Sequence, residues 1–89
     1  MNFEFDPRKS EANKLKHGID FEEAKRLWDD DSRVVLAFRY PGEPRFPTIG
    51  LIDGEPWTAI WTERGEVLRV ISVRRARKEE ARLHHGGRT

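Results

Sequence analysis

Five segments of the chain have hydrophobic patterns that predict β-strands, either because hydrophobic and polar residues alternate or, in RVVLAFR, because the run is β-branched and apolar. The first segment, NFEFD, alternates two phenylalanines with polar residues. The pairs Asp53-Gly54 and Arg64-Gly65 lie between the last three segments, and pairs of this kind form tight hairpin turns. We therefore predict an antiparallel meander whose later strands read RVVLAFR, TIGLID, EPWTAIWTE and EVLRVISVR. The proline-rich stretch YPGEPRFP predicts a loop.

Helix signals follow the first strand. Asp6 suits the N-cap position and Pro7 the first helical position, so a helix begins there. Gly18 predicts its end after His17, because glycine adopts the left-handed conformation that terminates helices. The stretch DFEE has the spacing of a capping box for a second helix. The apolar positions of that helix share one face: Phe21, Ala24, Leu27 and Trp28.

One more helix is predicted near the C-terminus. It starts near Arg75, runs through RARKEEARLHH and ends at the glycines 86–87, and we expect the tail 84–89 to be frayed. The elements are then a short N-terminal strand, two helices, an antiparallel sheet meander and a C-terminal helix, which is an α+β fold. With 89 residues, the chain has the length of a single domain covering residues 1–89.

Composition and charge limit the cellular location and the kinds of partner that are expected. The chain has no cysteine, which excludes disulfides and thiolate metal sites and favours a reducing, cytoplasmic location. No segment has the apolar length of a signal peptide or a membrane span, so no membrane partner is expected. The formal net charge is only +1. Residues 64–89 nonetheless hold eight Lys and Arg against three Asp and Glu, whereas residues 1–63 hold nine against thirteen. This asymmetry indicates either a local anionic partner or a solvated charged face.

Arg69 lies in the middle of the last predicted strand. An arginine in that position costs free energy to bury unless it is paired. Its partner is either a carboxylate, with Glu63 and Glu66 as candidates, or a phosphate, which suits the planar guanidinium group. Further cations follow Arg69 on the same segment, and they favour a groove that binds a nucleic-acid backbone. Counting in twos places Ser72 and Arg74 on the sheet face opposite Arg69.

Other groups have ordinary structural interpretations. Trp57 and Trp61 share one strand face, which indicates core packing or a subunit contact more than a platform for nucleotides. The acidic run 29–31 lacks the ligand spacing of a calcium site and predicts a solvated turn. His84 and His85 are adjacent and do not share a helix face, so a paired metal site there is not expected.

Two blocks of the sequence carry a family resemblance. FEFDPRKSEANKLKHGIDFEEA resembles the opening of the BrnT-type toxins of bacterial type II toxin–antitoxin pairs, with their Asp-Pro, Lys-His-Gly and Phe-Glu-Glu-Ala motifs. TERGEVLRVISVRRARKEE resembles their closing strand and helix. The resemblance is specific because both blocks occur in the right order and at the right separation. The stretch LAFRYPGEPRFPTIG departs from the family pattern, in which this link is usually shorter and acidic, so substrate preference is not carried over.

The resemblance implies a RelE-like ribonuclease fold and RNA cleavage that uses no metal or other cofactor and inhibits translation. It implies a BrnA-type antitoxin as the protein partner, with operator DNA contacted only through that antitoxin. A homodimer or a 2:2 complex is compatible with it. Metal-free cleavage uses the 2′-hydroxyl of RNA as the nucleophile, and it needs a base, an acid and cations around the phosphorane.

Carried onto this chain, the family motifs give four candidate catalytic residues: His17, Glu63, Arg64 and Arg69. Residues near them are assigned to RNA binding: Lys16, Ser72, Arg74, Arg75, Arg77 and Lys78. Each assignment has a structural alternative. His17 complements the dipole at a helix C-terminus, Glu63 and Arg64 pair across their turn, and Ser72 forms a hydrogen bond within its strand.

Three functions are therefore considered. The first is a ribonuclease toxin. The second is a non-catalytic module that binds RNA or a protein through the basic C-terminal strand and helix. The third is an oligomerisation domain that buries Trp57 and Trp61. Loss of RNA cleavage in a folded Arg69→Ala variant distinguishes the first from the second, and the effect of Trp61→Ala on molecular mass tests the third.

Overall fold

A computed structural model of the chain describes residues 2–86 and has the α+β architecture that the sequence predicts. Its elements are β1 (Asn2–Glu4), α1 (Pro7–His17), α2 (Phe21–Ala24), a 3₁₀ helix (Lys25–Asp29), β2 (Val34–Val35), β3 (Phe38–Tyr40), β4 (Glu43–Arg45), β5 (Thr48–Ile52), β6 (Glu55–Arg64), β7 (Val67–Arg75) and α3 (Lys78–Gly86). Five strands form the main sheet in the order β1-β7-β6-β5-β2, and β3 pairs with β4. Among the residues described, no helix has the length and apolar character needed to cross a bilayer.

The main sheet is mixed, whereas the sequence predicted an antiparallel one. β5, β6 and β7 form the expected meander, with turns at residues 53–54 and 65–66. β1 instead runs parallel to β7, with Glu4 opposite Arg69. A short turn forces antiparallel pairing only between the strands that it joins, and β1 and β7 lie at opposite ends of the chain. The first strand therefore lies beside the most basic strand.

The helices after β1 begin as predicted. The carboxylate of Asp6 accepts a hydrogen bond of 2.9 Å from the backbone N–H of Arg8, and Gly18 ends α1 with a φ of +80°. Asp20 and Glu23 form the reciprocal bonds of a capping box at the start of α2. α2 is short, and the chain continues directly into the 3₁₀ helix.

Polar side chains attach α1 to the rest of the molecule. The side-chain amide of Asn13 donates to the carbonyl oxygen of Val73 at 2.8 Å and accepts from the N–H of Val73 at 3.3 Å. This pair of bonds continues the ladder of β7 beyond the point where β1 ends. The hydroxyl of Ser10 accepts from the N–H of Phe21 at 2.9 Å. Leu15, in contrast, is 91% exposed, so the apolar content of α1 contributes little to the core.

The core lies between the helices and one face of the main sheet. Its buried residues are Ile19, Phe21, Ala24, Leu27, Ile52, Trp57, Ala59, Trp61, Leu68, Val70 and Val73. Trp57 and Trp61 are only 8% and 9% exposed, and the indole N–H of Trp61 donates to the hydroxyl of Thr48 at 2.7 Å. Both tryptophans thus pack within a single chain, which contradicts the hypothesis that they form an oligomer contact.

Gly50 provides a test of this packing. A Cβ atom there would lie 2.9 Å from Cγ and 3.1 Å from the carbonyl oxygen of Leu27. Because the core is close-packed, we expect Gly50→Ala to lower the free energy of unfolding by about 1–3 kcal/mol in urea denaturation. Leu27→Ala should cost less in the Gly50→Ala background than in the natural chain. Equal costs in both backgrounds would contradict the close contact.

The middle of the chain differs from its predicted structure. The segment RVVLAFR divides between β2 and β3, which belong to different sheets. The predicted loop YPGEPRFP contains β4, which pairs with β3 across a turn at residues 41–42. β7 continues to Arg75, which lies opposite Trp57, so α3 begins at Lys78 rather than near Arg75.

A buried pair joins the acidic turn 29–31 to the C-terminal helix. The predictions made for the turn and for that helix did not include this pair. Nε2 of His84 lies 2.8 Å from Oδ2 of Asp30, and His84 is only 5% exposed. Burial alone would raise the pKa of Asp30, but hydrogen bonds, that from the N–H of Leu51 foremost, outweigh it and lower this pKa. α3 thus extends to Gly86, into the tail that was expected to be frayed, and within it His84 is buried and His85 exposed. Residues 87–89 lie outside the described residues.

Candidate functional site

A β-bulge in the last hairpin determines which way its arginines point. Ile60 of β6 lies opposite Ser72, but the next residue, Trp61, lies opposite Val70. Ile71 is therefore an extra residue in β7. A shift of one residue moves the side chains that follow it to the other face, so counting in twos fails beyond the bulge.

The register with β6 shows which side chains of β7 share a face. Three alternate residues of β6, at positions 58, 60 and 62, lie opposite Arg74, Ser72 and Arg69. Directly opposite residues point to the same side of a sheet, so these three side chains share one face. Arg64 follows position 62 by two residues and joins them. The prediction that Ser72 and Arg74 lie opposite Arg69 is therefore wrong. We call this set, Arg64, Arg69, Ser72 and Arg74, the arginine face.

Arg69 is paired with Glu4, a carboxylate that the sequence analysis missed. Nη1 of Arg69 lies 2.7 Å from Oε2 of Glu4, and the two side chains are 26% and 39% exposed. The candidates Glu63 and Glu66 are not its partners. A pair with this much solvent access contributes little to stability, and an anion from solution has room to compete for Arg69. The opening block of the family resemblance contains Glu4, but only the parallel pairing of β1 with β7 brings it to Arg69.

Arg74 is held more firmly, by Glu80 of α3. Its two terminal nitrogens lie 2.7 and 2.9 Å from the two carboxylate oxygens of Glu80, and the two side chains are 22% and 15% exposed. Glu80 also accepts hydrogen bonds from the N–H of Arg77 and from the hydroxyl of Thr58. Arg74, with these further donors, lowers the pKa of Glu80 from 4.5 to about 2 although burial opposes the shift.

Because the pKa of Glu80 is lowered, its contribution to the free energy of unfolding should depend on pH in the acidic range. A carboxyl group whose pKa is lower in the folded state stabilises the fold above its unfolded pKa, and this contribution is lost as the pH falls through the folded value. Glu80 should therefore contribute fully above about pH 4.5 and lose its contribution towards about pH 2. We expect Glu80→Gln to lower the free energy of unfolding at pH 7 by at most about 3 kcal/mol, and the difference from the natural chain to vanish near pH 2. Urea titrations of both proteins across this range measure it, and a difference that does not change with pH would contradict the assignment.

Comparison with protein families identifies the chain. A family model described as "Ribonuclease toxin, BrnT, of type II toxin-antitoxin system" matches residues 5–80. This chain belongs to the BrnT family. No curated protein matches the sequence. Membership in a family of type II ribonuclease toxins implies an RNA substrate and a protein antitoxin as partner, and the arginine face of this BrnT protein has the charge that an RNA backbone requires.

The fold brings only some of the candidate catalytic residues from the BrnT motifs onto one surface. Arg64 and Arg69 share the arginine face, but Glu63 lies opposite Leu68 and therefore points to the other side of the sheet. His17 is the last residue of α1 and is half-buried, and Lys16 beside it is exposed. Within residues 2–86, no hydrogen bond or ion pair joins His17 to Glu63 or to the arginine face. The catalytic roles of His17 and Glu63 stay predictions.

The remaining cations predicted to bind RNA in this BrnT protein lie around the end of β7. Arg75 points away from Arg74, and its guanidinium group lies 4.9 Å from the ring centroid of Trp57 and pairs with Glu55. Arg77 and Lys78 are exposed where α3 begins, and the backbone N–H of Arg77 donates to Glu80. In the part of the chain that the structure describes, no three His, Asp or Glu side chains are grouped so that they could hold a metal ion.

Proposed function

We propose that this BrnT protein is a metal-independent endoribonuclease that inhibits translation by cutting RNA. The observation that carries the proposal is the arginine face, where Arg64, Arg69 and Arg74 share one side of the sheet. Guanidinium groups bind phosphate oxygens through paired hydrogen bonds, and they stabilise the charge that develops on a phosphorane. A set of three supplies positive charge of the kind that other phosphoryl-transfer enzymes obtain from metal ions.

The reaction that suits this face is attack by the 2′-hydroxyl oxygen of RNA on the adjacent phosphorus. A new O–P bond forms while the bond from phosphorus to the 5′-oxygen breaks, which leaves a 2′,3′-cyclic phosphate and a 5′-hydroxyl. A base removes the proton from the 2′-hydroxyl, and an acid protonates the departing 5′-oxygen. In this scheme Arg64 and Arg69 stabilise the phosphorane, and Arg74 has a position fixed by Glu80.

Glu4 is our candidate for the base. It lies against Arg69 on the arginine face and keeps more than a third of its side chain exposed, whereas Glu80 is occupied by hydrogen bonds from three residues. A scissile phosphate that binds Arg69 replaces the Glu4 carboxylate there and leaves that carboxylate beside the 2′-hydroxyl. The family resemblance assigns the acid and base roles instead to His17 and Glu63, and variants of these residues separate the two assignments.

The proposed inhibitor is a BrnA-type antitoxin. Such a partner neutralises the toxin by covering its RNA-binding surface, and operator DNA is then contacted through the antitoxin alone. The proposed place of action is the cytoplasm, where messenger RNA is translated. A homodimer or a 2:2 complex with the antitoxin stays a prediction, and the mass of the co-purified complex in solution measures it.

Incubation of the purified protein with a labelled RNA in excess EDTA tests the proposal. We expect fragments that end in 2′,3′-cyclic phosphate, formed equally with and without EDTA, and no cleavage of the 2′-O-methyl analogue. Analysis of fragment ends in a translation extract without EDTA, since ribosomes require Mg²⁺, covers cleavage that requires the ribosome. Fragments that appear only when Mg²⁺ is restored would contradict the metal-independent chemistry.

A non-catalytic RNA-binding module is the alternative, and one observation favours it. Arg69 and Arg74 already have carboxylate partners within the chain, so their charges are partly neutralised before RNA binds. Salt-sensitive binding of RNA without any fragments, in buffer and in translation extract, would support this function over cleavage.

A further inference from the structure

A cleft on the helix side of β1 combines aromatic rings with cations. Its volume is about 430 Å³, and its lining consists of Phe3, Lys25, Arg26, Trp28, Asp29 and Arg33. Phe3 comes from β1, four residues come from the 3₁₀ helix, and Arg33 immediately precedes β2. Three cations and a single carboxylate line the cleft, so its lining is positively charged, and of the cations Arg26 is already paired with Asp53.

The two rings in this cleft are partly accessible, unlike the rings of Trp57 and Trp61. Phe3 and Trp28 meet edge to face with their centroids 5.1 Å apart, and Nζ of Lys25 lies 5.6 Å from the centroid of Phe3. Phe3 and Trp28 are half-buried, whereas Trp57 and Trp61 are buried in the core. Unpaired nucleobases stack on aromatic rings that are exposed beside cations.

The cleft and the arginine face adjoin each other across β1. Phe3 lies opposite Leu68 on the core side of the sheet, while the next residue, Glu4, bonds Arg69 on the arginine face. Successive strand residues are only about 3.3 Å apart. β1 is also the last strand of the described sheet on this side. A single RNA strand that passes over this edge therefore reaches both surfaces.

We propose that this cleft is a nucleotide subsite, which stacks an unpaired base next to the scissile phosphate and holds a neighbouring phosphate with Lys25 and Arg33. The proposal rests on the ribonuclease function proposed for the adjoining face, but binding is measurable without cleavage. The net charge of the lining favours a polyanion as the occupant of the cleft. The aromatic pair Phe3 and Trp28 favours a polyanion that carries bases. Lys25 now pairs with Glu22 at 2.9 Å, with side chains 34% and 69% exposed, and exposed pairs of this kind are weak enough for phosphate to replace.

Binding of a fluorescein-labelled 2′-O-methyl hexaribonucleotide tests the subsite, because a strand without free 2′-hydroxyls is not cut by the proposed chemistry. We expect Trp28→Leu to weaken binding about 5- to 100-fold in fluorescence anisotropy. Lys25→Gln and Arg33→Gln should each weaken it about 2- to 5-fold and reduce its salt dependence. Binding should also quench tryptophan fluorescence in the natural chain but not in Trp28→Leu.

Lys9→Gln is the matched control, since it removes one exposed cation of α1 outside the cleft. Trp28 contacts Trp61 at 6.4 Å between ring centroids, so folding of Trp28→Leu is checked by thermal melting. If Trp28→Leu does not fold, Lys25→Gln and Arg33→Gln test the subsite instead. Unchanged affinity in the folded variants overturns the subsite. An abasic strand that binds as tightly as the hexaribonucleotide would also overturn the subsite. Hexaglutamate that competes as well as RNA would overturn it too, and would indicate an acidic protein segment as the occupant. Trp28-dependent binding by a protein that cuts no RNA supports the subsite and refutes the proposed cleavage.

Discussion

We expect Arg69→Ala to slow RNA cleavage by about 10²- to 10³-fold, which is the usual effect of removing one donor that stabilises a charged transition state. Arg69 is the cation of the arginine face that is both central in β7 and accessible, with a side chain 26% exposed. Its loss removes the donor nearest to the proposed base. Single-turnover cleavage rates of the purified proteins measure the effect, and relief of growth arrest on induction should accompany it.

The structure of the Arg69→Ala variant should be intact, because its partner Glu4 is 39% exposed and becomes solvated when the ion pair is removed. We expect the free energy of unfolding to fall by no more than about 1 kcal/mol. Lys9→Ala, which removes an exposed cation from α1, is the control for net charge and should cleave normally. A folded Arg69→Ala protein that cleaves within tenfold of the natural rate would place the chemistry elsewhere.

The local structure of the N-terminal half could be predicted because its signals lie within a few residues. The cap at Asp6, the left-handed glycine at position 18 and the capping box of α2 involve neighbouring residues only, and all three are present. The two tight turns of the meander were predicted to within one residue for the same reason. Two strands joined by such a turn pair antiparallel whatever the rest of the chain does.

The site itself depends on contacts between distant residues, which explains why it was predicted only in part. Period-two counting assumes a regular ladder, and one extra residue at Ile71 moves Ser72 and Arg74 to the face of Arg69. The partner of Arg69 comes from β1, which is separated from it by 65 positions in the sequence. The resemblance to BrnT toxins pointed to the cations that the arginine face brings together, but only strand pairing shows which carboxylates meet them.

The two internal partners give the two central arginines different roles. Glu4 leaves Arg69 accessible, so an incoming phosphate competes with a single exposed carboxylate. Glu80 is 15% exposed and binds Arg74 through both oxygens, so RNA is not expected to displace it. Two arginines of the face are therefore paired in the resting state, and binding of phosphate exchanges only the Glu4 pair. This exchange releases a carboxylate at the place where a proton must be accepted.

The largest effect is accordingly expected at Glu4. Glu4→Gln keeps the size and hydrogen-bonding capacity of the side chain but removes its ability to take a proton, so we expect cleavage to fall by about 10²- to 10⁴-fold. RNA affinity should stay equal or rise, since the substitution removes a negative charge that competes with phosphate for Arg69. Cleavage rates and anisotropy with 2′-O-methyl RNA separate the two effects. A parallel loss of affinity and rate would indicate that Glu4 only positions Arg69.

Glu63→Gln is the decisive comparison, because Glu63 is also an exposed strand carboxylate but lies on the other face of the sheet, opposite Leu68. If Glu4 is the base, Glu63→Gln should cleave within a few-fold of the natural rate, while Glu4→Gln is nearly inactive. The reverse order would favour the role that the family resemblance assigns to Glu63, and it would require RNA to approach from the helix side of the β6–β7 hairpin. The structure thus places on opposite faces of the sheet two carboxylates that the sequence alone does not distinguish, and the two variants test which of them is the base.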